Sequence, residues 1–156
     1  ERAPVPDDSL AGSLLDRIAE PYAATLASAP ALGFDGLLLR PVQLLENEAV
    51  RESYRRRFRY VLVDEYQDTN RVQYDLVRHL VGPQGNITVV GDEDQSIYSW
   101  RGADIQNILD FEHDFPGARV LRLEENYRST QGILDSASAL VAHNEKRKGK
   151  TLRAMK

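Results

Sequence analysis

Three short apolar runs, separated by segments of helical periodicity, are the sequence feature that most constrains the fold of this chain. Each run is followed directly by a polar cluster, and the runs span residues 60–63, 87–90 and 120–123. Apolar residues return at helical spacing over about 71–81, 104–115 and 130–143. This alternation with short connections predicts an α/β protein with a parallel sheet flanked by helices. Ligands of such sheets bind beyond the carboxyl ends of the strands, so the polar clusters are the candidate sites.

The first third of the chain has helical spacing instead. Leu10, Leu14 and Ile18 recur along one helical face, and Pro21 is expected to kink or end that helix. A second helical stretch is predicted over residues 35–57, with an interruption near Pro41. A helical segment should therefore precede the sheet.

The composition excludes two classes of protein. The 156 residues contain no apolar run near the roughly 20 residues that a membrane span requires. They also contain no cysteine, which excludes disulfides and thiolate metal sites. We therefore expect a chain that is not a membrane protein and that works in the cytoplasm. Because the sequence begins with Glu1 rather than Met, we expect its start to be a cut end.

Charge alone does not identify a partner. The net charge of -4 argues against a generally basic surface that coats nucleic acid. Basic residues concentrate over residues 51–59 and 146–156, and acidic residues over 64–68 and 92–94. A basic stretch is more often a solvated face than a phosphate contact, so both interpretations stay open.

The first polar cluster, DEYQDTN over residues 64–70, begins with two adjacent carboxylates. Asp64 and Glu65 suit a magnesium nucleotide site, because one can bind the hydrated metal while the other polarises the attacking water. The alternative is that the cluster caps the next helix. Capping would account for residues 68–70 but would leave the two acids unexplained.

The second cluster, over residues 91–104, contains the single tryptophan of the chain. Tyr98, Trp100 and Arg101 interleave aromatic and basic side chains, which is typical of platforms that stack unpaired bases. The alternative is a loop in which these aromatic side chains pack internally and Asp104 caps the following helix.

The third cluster, over residues 123–130, contains a possible helix cap at Ser129 or Thr130. Arg128 would then lie near a helix start, where the helix macrodipole is unfavourable to a cation. A phosphate close to Arg128 would remove that objection.

Together and in this order, the three clusters resemble motifs II, III and IV of superfamily 1 DNA helicases of the UvrD/PcrA/Rep family. The matching segments read DEYQDTN, VVGDEDQSIYSWRGAD and LEENYRS, and the similarity extends over about residues 34–150. The resemblance implies a partial RecA-like sheet of the P-loop NTPase type. By the same resemblance, residues 1–33 would end a helical insertion subdomain, 34–123 would form the latter half of the first motor domain, and 124–156 would begin the second.

The resemblance also implies roles in binding and hydrolysing ATP. Asp64 would hold Mg²⁺ together with Glu65, and Glu65 would activate the hydrolytic water. Gln95 would sense the γ-phosphate and couple it to the DNA-binding loop. Tyr127 would stack near the adenine, and Arg128 would reach the γ-phosphate from the second motor domain.

On the DNA side, the resemblance implies that Tyr98, Trp100 and Arg101 line the track of the single strand, with Trp100 stacked on a base. The sequence departs from the family pattern at Tyr66, where Phe is usual, and at Gly36, where Asp is usual.

The function implied is that of an ATP-dependent DNA helicase or translocase with 3′-to-5′ movement. Single-stranded and duplex DNA would be its partners, with repair or replication proteins as further ones. The family's phosphate-binding loop, a GxGKT-like string, does not occur in these residues, so the chain alone is expected to be inactive. The alternative function is a non-hydrolysing module, derived from a truncated helicase, that binds DNA or a partner. A nuclease fused to the helicase also remains an open possibility.

Overall fold

The computed structural model describes residues 8–29, 31–83, 85–144 and 147–155. Three helices come first: α1 (Asp8–Ser28), α2 (Phe34–Glu46) and α3 (Glu48–Arg57). The elements that follow are β1 (Val61–Val63), α4 (Arg71–Leu80), β2 (Ile87–Val89), α5 (Gln106–Leu109), α6 (Phe111–Asp114), β3 (Glu125–Asn126), α7 (Gln131–Val141) and β4 (Arg153–Ala154). Across these described ranges, no helix has both the length and the apolar character that crossing a membrane requires.

Strands β1 and β2 form a parallel pair connected through α4. Their register places Val61 opposite Ile87 and Val63 opposite Val89. The pairing continues past the strand ends, because the Val90 amide donates to Val63 O at 2.8 Å and the Tyr66 amide donates to Val90 O at 3.0 Å. The predicted α/β class with parallel strands is therefore confirmed.

The third predicted strand, over residues 120–123, is wrong. Val120, Leu121 and Leu123 are 47%, 69% and 76% exposed, and this stretch has no sheet partner among the described residues. An apolar run becomes a strand only where a neighbouring strand satisfies its backbone, and tertiary structure decides this. The described strand lies a few residues later, where β3 pairs in parallel with β4.

Neither of the two prolines in the helical segment ends its helix. Pro21 lies inside α1, which continues to Ser28, so it does not end the helix. Pro41 lies inside α2, and the break between α2 and α3 falls instead at Asn47, whose side chain accepts from the Val50 amide at 3.2 Å. Asn47 provides the capping oxygen that begins a new helix, and a proline cannot do this.

The predicted helix over residues 104–115 forms as two short helices, α5 and α6, which meet at Asp110. The helix predicted over 71–81 is confirmed as α4. Its start is fixed by a capping box, in which Asn70 accepts from the Gln73 amide and the Gln73 side chain accepts from the Asn70 amide, both at 2.9 Å. Of the three polar residues expected to cap this helix, Asn70 is the one that does.

A small aromatic core lies behind the carboxyl ends of β1 and β2. Tyr66 is fully buried, and its ring packs edge-to-face on Phe111 with centroids 5.6 Å apart. The Tyr74 hydroxyl donates to Asp114 Oδ2 at 2.7 Å, which ties α4 to α6. Asn107 is also buried, and its amide donates to Thr69 O and Oγ1 at 3.0 and 3.1 Å. The Tyr74–Asp114 bond joins α4 to α6, and the bonds of Asn107 join α5 to the 3₁₀ turn that follows β1. These contacts hold in place the segments from which the first two polar clusters extend.

Candidate functional site

The acid pair lies exposed beyond the end of β1. Glu65 has a left-handed backbone with φ 50°, which costs a non-glycine residue about 1–2 kcal/mol. Two hydrogen bonds hold it there: the Glu65 amide donates to Asp64 Oδ1 at 2.9 Å, and Gln67 Nε2 donates to Glu65 Oε2 at 2.7 Å. The chain thus stabilises the left-handed conformation of Glu65, and both acidic residues remain exposed.

Gln67 connects the ends of the two strands. Its side chain is 1% exposed, and its Oε1 accepts from the Asp92 amide at 3.0 Å while its Nε2 donates to Glu65. The Gln67 side chain can lie this close to the end of β2 only because residue 91 is a glycine. A Cβ at Gly91 would lie 2.7 Å from Gln67 Oε1 and 2.8 Å from Ile108 Cδ1. Gln67 was not a predicted site residue. The signal available in the sequence was a glutamine two residues after the acid pair, together with a glycine at the end of the next strand.

Asp92 extends the connection to Gln95. Gln95 Nε2 donates to Asp92 Oδ2 at 2.6 Å, and Lys150 forms an ion pair with Oδ1 of the same carboxylate. Burial alone would raise the pKa of Asp92, but the hydrogen bonds from Lys150 and Gln95 outweigh it and hold the pKa below its ordinary value. We call Glu65, Gln67, Gly91, Asp92 and Gln95 the strand-end network.

The basic residues near the C-terminus contact the acids that follow β2. Arg147 Nη2 lies 2.6 Å from Asp94 Oδ2, and the Asp94 side chain is 6% exposed. The Lys148 amide donates to Glu93 Oε1 at 2.9 Å. Part of the predicted C-terminal basic run is therefore paired with acids of the chain itself. Sequence reasoning did not predict this pairing, because it joins residues more than 50 positions apart.

The second cluster forms an exposed turn that we call the aromatic turn: Tyr98, Trp100 and Arg101. Trp100 is 77% exposed, and its ring lies 6.2 Å from that of Tyr98. The Arg101 guanidinium lies 5.5 Å from the Tyr98 ring centroid and 5.7 Å from that of Trp100. The alternative in which Trp100 packs inside the loop is wrong. Asp104 Oδ1 accepts from the Gln106 amide at 3.0 Å, as expected of a capping residue, but the N-cap position of α5 is Ile105.

The third cluster presents Tyr127 and Arg128 on an exposed loop before α7. Asn126 Oδ1 accepts from the Arg128 and Ser129 amides at 3.0 and 2.8 Å, so Asn126 orders the loop. Thr130 is the N-cap residue of α7 but makes no side-chain capping bond. The Tyr127 hydroxyl donates to Glu125 Oε2 at 2.5 Å, and this hydrogen bond raises the pKa of Tyr127.

An open cleft brings several predicted site residues together. Gln95, Tyr127 and Arg128 all line it, together with Asp92 and Lys150. The predicted metal ligands and the aromatic turn do not line this cleft. The acid pair is instead joined to Gln95 by hydrogen bonds through the strand-end network.

The residues present fit a magnesium nucleotide. Mg²⁺ is usually held by one or two carboxylates, with water and phosphate oxygens as its other ligands. Asp64 and Glu65 meet that requirement, because they are adjacent, exposed carboxylates at a strand end. Within the described ranges, no group of three or more His, Cys, Asp or Glu could hold a metal ion, so no all-protein metal cage is indicated there. The exposed guanidinium of Arg128 suits a phosphate.

The fold and the site together define an α/β protein whose first two polar clusters follow the carboxyl ends of a pair of parallel strands. Residues 6–116 match the family model described as the UvrD/REP helicase N-terminal domain. The chain therefore belongs to the UvrD/REP helicase family. The match stops before the third cluster and does not by itself assign the clusters to individual helicase motifs.

Curated relatives agree with this membership. The chain is 51% identical over 132 residues to "ATP-dependent DNA helicase PcrA" of Staphylococcus epidermidis and 52% identical over 139 residues to "ATP-dependent DNA helicase UvrD1" of Mycobacterium tuberculosis, in each case over 84% of this chain. It is 53% identical over 124 residues, 79% of the chain, to "ATP-dependent DNA helicase Rep" of Escherichia coli K12. The chain spans about 18% of the length of each of these relatives.

Proposed function

We propose that this chain is part of an ATP-driven DNA helicase that moves 3′-to-5′ on single-stranded DNA. One observation carries the proposal: a hydrogen-bonded path joins Glu65 to Gln95 across the ends of two parallel strands. By resemblance, these two residues activate water and sense the γ-phosphate. The names of the relatives, all ATP-dependent DNA helicases, support the same function.

The proposed nucleotide side uses residues of all three clusters. Asp64 and Glu65 would hold Mg²⁺, which would neutralise charge on the phosphates, and Glu65 would take the proton of the attacking water. Gln95 hydrogen-bonds the γ-phosphate, Tyr127 stacks near the adenine, and Arg128 stabilises charge on the transferring group. The shared cleft of Gln95, Tyr127 and Arg128 supports this grouping.

The proposed DNA side is the aromatic turn. Exposed aromatic rings beside an arginine offer stacking surface to any base and positive charge to the backbone. The 77% exposure of Trp100 supports this role, because a ring that packed inside the protein could not stack on a base. Duplex DNA would be unwound as the single strand is drawn over this turn, and repair or replication proteins would be further partners.

We also propose that the three clusters correspond to helicase motifs II, III and IV, and that β1 and β2 belong to a RecA-like sheet. Residues 1–33 would then end a helical insertion, 34–123 would belong to the first motor domain, and 124–156 would begin the second. The parallel pairing of β1 with β2 through α4 supports the RecA-like assignment.

The 156 residues alone should not hydrolyse ATP faster than a buffer blank, with or without single-stranded DNA. They contain Gly149-Lys150-Thr151, but Arg147 stands where the first glycine of GxGKT would be, so the complete loop whose backbone amides and lysine hold the transferring phosphates does not occur in them. Reading the gene upstream of residue 1 tests the proposal against a non-hydrolysing module. A GxGKT-like loop in the same reading frame supports the motor, and a start codon at that point supports the module.

The direct test measures ATP hydrolysis by the complete parent protein with and without single-stranded DNA. We expect DNA-stimulated hydrolysis, and we expect Arg128→Ala to lower turnover about 10²–10³-fold while ATP binding changes little. Arg17→Ala is a matched control, because Arg17 is also exposed but lies in α1 and does not line the cleft. If Arg128→Ala lowered ATP affinity and turnover by the same factor, Arg128 would contact bound ATP without specifically stabilising the transition state.

Polarity is tested separately with partly single-stranded duplexes. Unwinding of a substrate with a 3′ tail, and not of one with a 5′ tail, is the expected outcome. Efficient unwinding from a 5′ tail alone would contradict the direction proposed here.

A further inference from the structure

Gln67 is the most deeply buried polar side chain near the candidate site, and both ends of its amide are used. Its exposure is 1%, its Oε1 accepts from the Asp92 amide, and its Nε2 donates to the Glu65 carboxylate. A buried amide whose oxygen and nitrogen are both hydrogen-bonded is held in one orientation. A flipped amide would place its N–H against the donor and its oxygen against the acceptor. Gln67 therefore fixes the position of one carboxylate oxygen of Glu65 relative to the end of β2.

The surrounding residues leave Gln67 little freedom to move. Gly91 lies so close that a Cβ there would come within 2.7 Å of Gln67 Oε1. On the backbone of Gln67, the carbonyl oxygen accepts from Ser96 Oγ at 3.4 Å. A displacement of residues 91–96 would therefore reach Gln67 directly, through contacts on its side chain and its backbone.

The bond from Gln67 also decides which oxygen of Glu65 can take a proton. Among the hydrogen bonds of the described residues, Oε2 is the engaged oxygen and Oε1 is not used. A general base must direct a free lone pair at its water within hydrogen-bond reach. Because Oε2 is held by Gln67, Oε1 is the oxygen of this exposed side chain that stays available to a water.

We propose that Gln67 is a positioning residue that couples the γ-phosphate sensor Gln95 to the water-activating carboxylate of Glu65. The path runs from Gln95 to the Asp92 carboxylate, along the Asp92 backbone to its amide, and through the Gln67 amide to Glu65. A movement of Gln95 on meeting a phosphate is thereby passed to the oxygen that faces the water. This inference rests on the proposed function and adds the residue that links its two halves.

The test replaces Gln67 in the parent protein with an apolar residue of similar length, Gln67→Met. We expect kcat for DNA-stimulated ATP hydrolysis to fall about 10–100-fold, because the base is misplaced. The KM for ATP and the affinity for single-stranded DNA should stay near their wild-type values, since Gln67 is 1% exposed and offers almost no surface to either ligand. A second variant, Gln67→Leu, also removes both the bond from the Asp92 amide and the bond to Glu65, and should show the same loss of kcat.

Asn107→Leu is the matched control. Asn107 is also a buried amide, 4% exposed, but its hydrogen bonds go to Thr69 and not to the site. It should lower the melting temperature as Gln67→Met does, without the selective loss of kcat. Equal effects of the two variants on kcat and KM would overturn the coupling role and leave Gln67 a structural residue.

A double variant tests the coupling itself. If Gln95 acts on Glu65 through Gln67, then Gln67→Met combined with Gln95→Ala should be no slower than the slower single variant. Multiplication of the two single effects would overturn the proposal.

Glu65→Gln, measured alongside, distinguishes a failure of the proposed catalytic role of Glu65 from a failure of the coupling through Gln67. Normal turnover in Glu65→Gln overturns the proposed role of Glu65 and, with it, the coupling. Lost turnover in Glu65→Gln with normal turnover in Gln67→Met overturns the coupling alone.

Discussion

The strand-end network and the aromatic turn lie a few residues apart in the chain but differ in how they are held. Gln67, at the centre of the network, is 1% exposed and hydrogen-bonded at both ends of its amide. Trp100, in the turn, is 77% exposed and meets Tyr98 and Arg101 only through ring contacts. The first arrangement fixes atoms in place, and the second leaves surface free.

This difference matches two kinds of chemistry. Proton transfer and phosphate sensing need atoms held within a fraction of an ångström, so they favour a buried network at the end of rigid strands. Stacking on a base tolerates small displacements, because every base presents a flat face. Changes in the network should therefore affect turnover or stability, and changes in the turn should affect DNA affinity.

The largest expected effect is that of Glu65→Gln in the parent protein. The amide keeps the shape of the carboxylate but cannot take the proton of water, so hydrolysis should fall roughly 10²–10⁴-fold while ATP binding is spared. Steady-state hydrolysis and equilibrium binding of a non-hydrolysable ATP analogue measure the two quantities. Near-normal turnover would mean that Glu65 has only a structural role. The strand-end network could then no longer be assigned to catalysis.

Gly91→Ala should break the network by crowding it. The added Cβ would lie 2.7 Å from Gln67 Oε1 and 2.8 Å from Ile108 Cδ1, and such overpacking costs about 1–3 kcal/mol of unfolding free energy. Chemical denaturation of the 156-residue chain measures the loss. The matched control is Gly132→Ala, where a Cβ meets nothing within 4 Å and α7 should gain slightly in stability. Equal stability in the two variants would show that the approach at Gly91 is not tight.

Trp100→Ala should weaken DNA binding without lowering stability, which is the opposite of the effect expected for Gly91→Ala. We expect the parent protein to lose about 1–3 kcal/mol of affinity for single-stranded DNA, with little dependence on base sequence. Its melting temperature should not change, because the ring is exposed. Titrations belong at one fixed salt concentration, since salt alone shifts such affinities strongly.

Phe34→Ala is the control for Trp100→Ala, because Phe34 is 91% exposed and lies at the start of α2, away from the turn in sequence. It should leave DNA affinity unchanged. If the two variants bound DNA equally well, the strand would not pass over the aromatic turn.

The smallest expected effect comes from Tyr66→Phe beside the network. Among the residues that the structure describes, the buried Tyr66 hydroxyl has no hydrogen-bond partner, so removing it should stabilise the chain by about 1 kcal/mol. Tyr60→Phe is the control, because Tyr60 is 73% exposed and its hydroxyl reaches water. A loss of stability in Tyr66→Phe would mean that the hydroxyl has a partner after all.

The same variant carries a pH test. Burial raises the pKa of Tyr66 from 10.0 to about 12, so the unfolded chain loses this proton first as the pH rises. The wild-type chain should therefore lose stability between pH 10 and about 12 through this group. Tyr66→Phe should show a smaller loss over that window in denaturation curves measured at increasing pH.

Much of the architecture was predictable because local sequence decides it. The apolar runs that became β1 and β2, the helix between them, and the cap at Asn70 follow from side-chain periodicity and from the local hydrogen bonds of a capping residue. The stretch at 120–123 was predicted on the same grounds and was wrong, because no described strand lies beside it.

The candidate site divides in the same way. The sequence by itself determined the acid pair, the aromatic turn and the exposed arginine, since each is a short string whose chemistry is visible in its residue types. Only the tertiary structure decided that Gln67 joins Glu65 to Asp92, that Gly91 admits this contact, and that Arg147 pairs with Asp94. The bonds from Gln67 to Asp92 and from Arg147 to Asp94 join residues 25 and 53 positions apart, and their formation depends on how strands pair and how buried polar groups find partners, which no local pattern encodes.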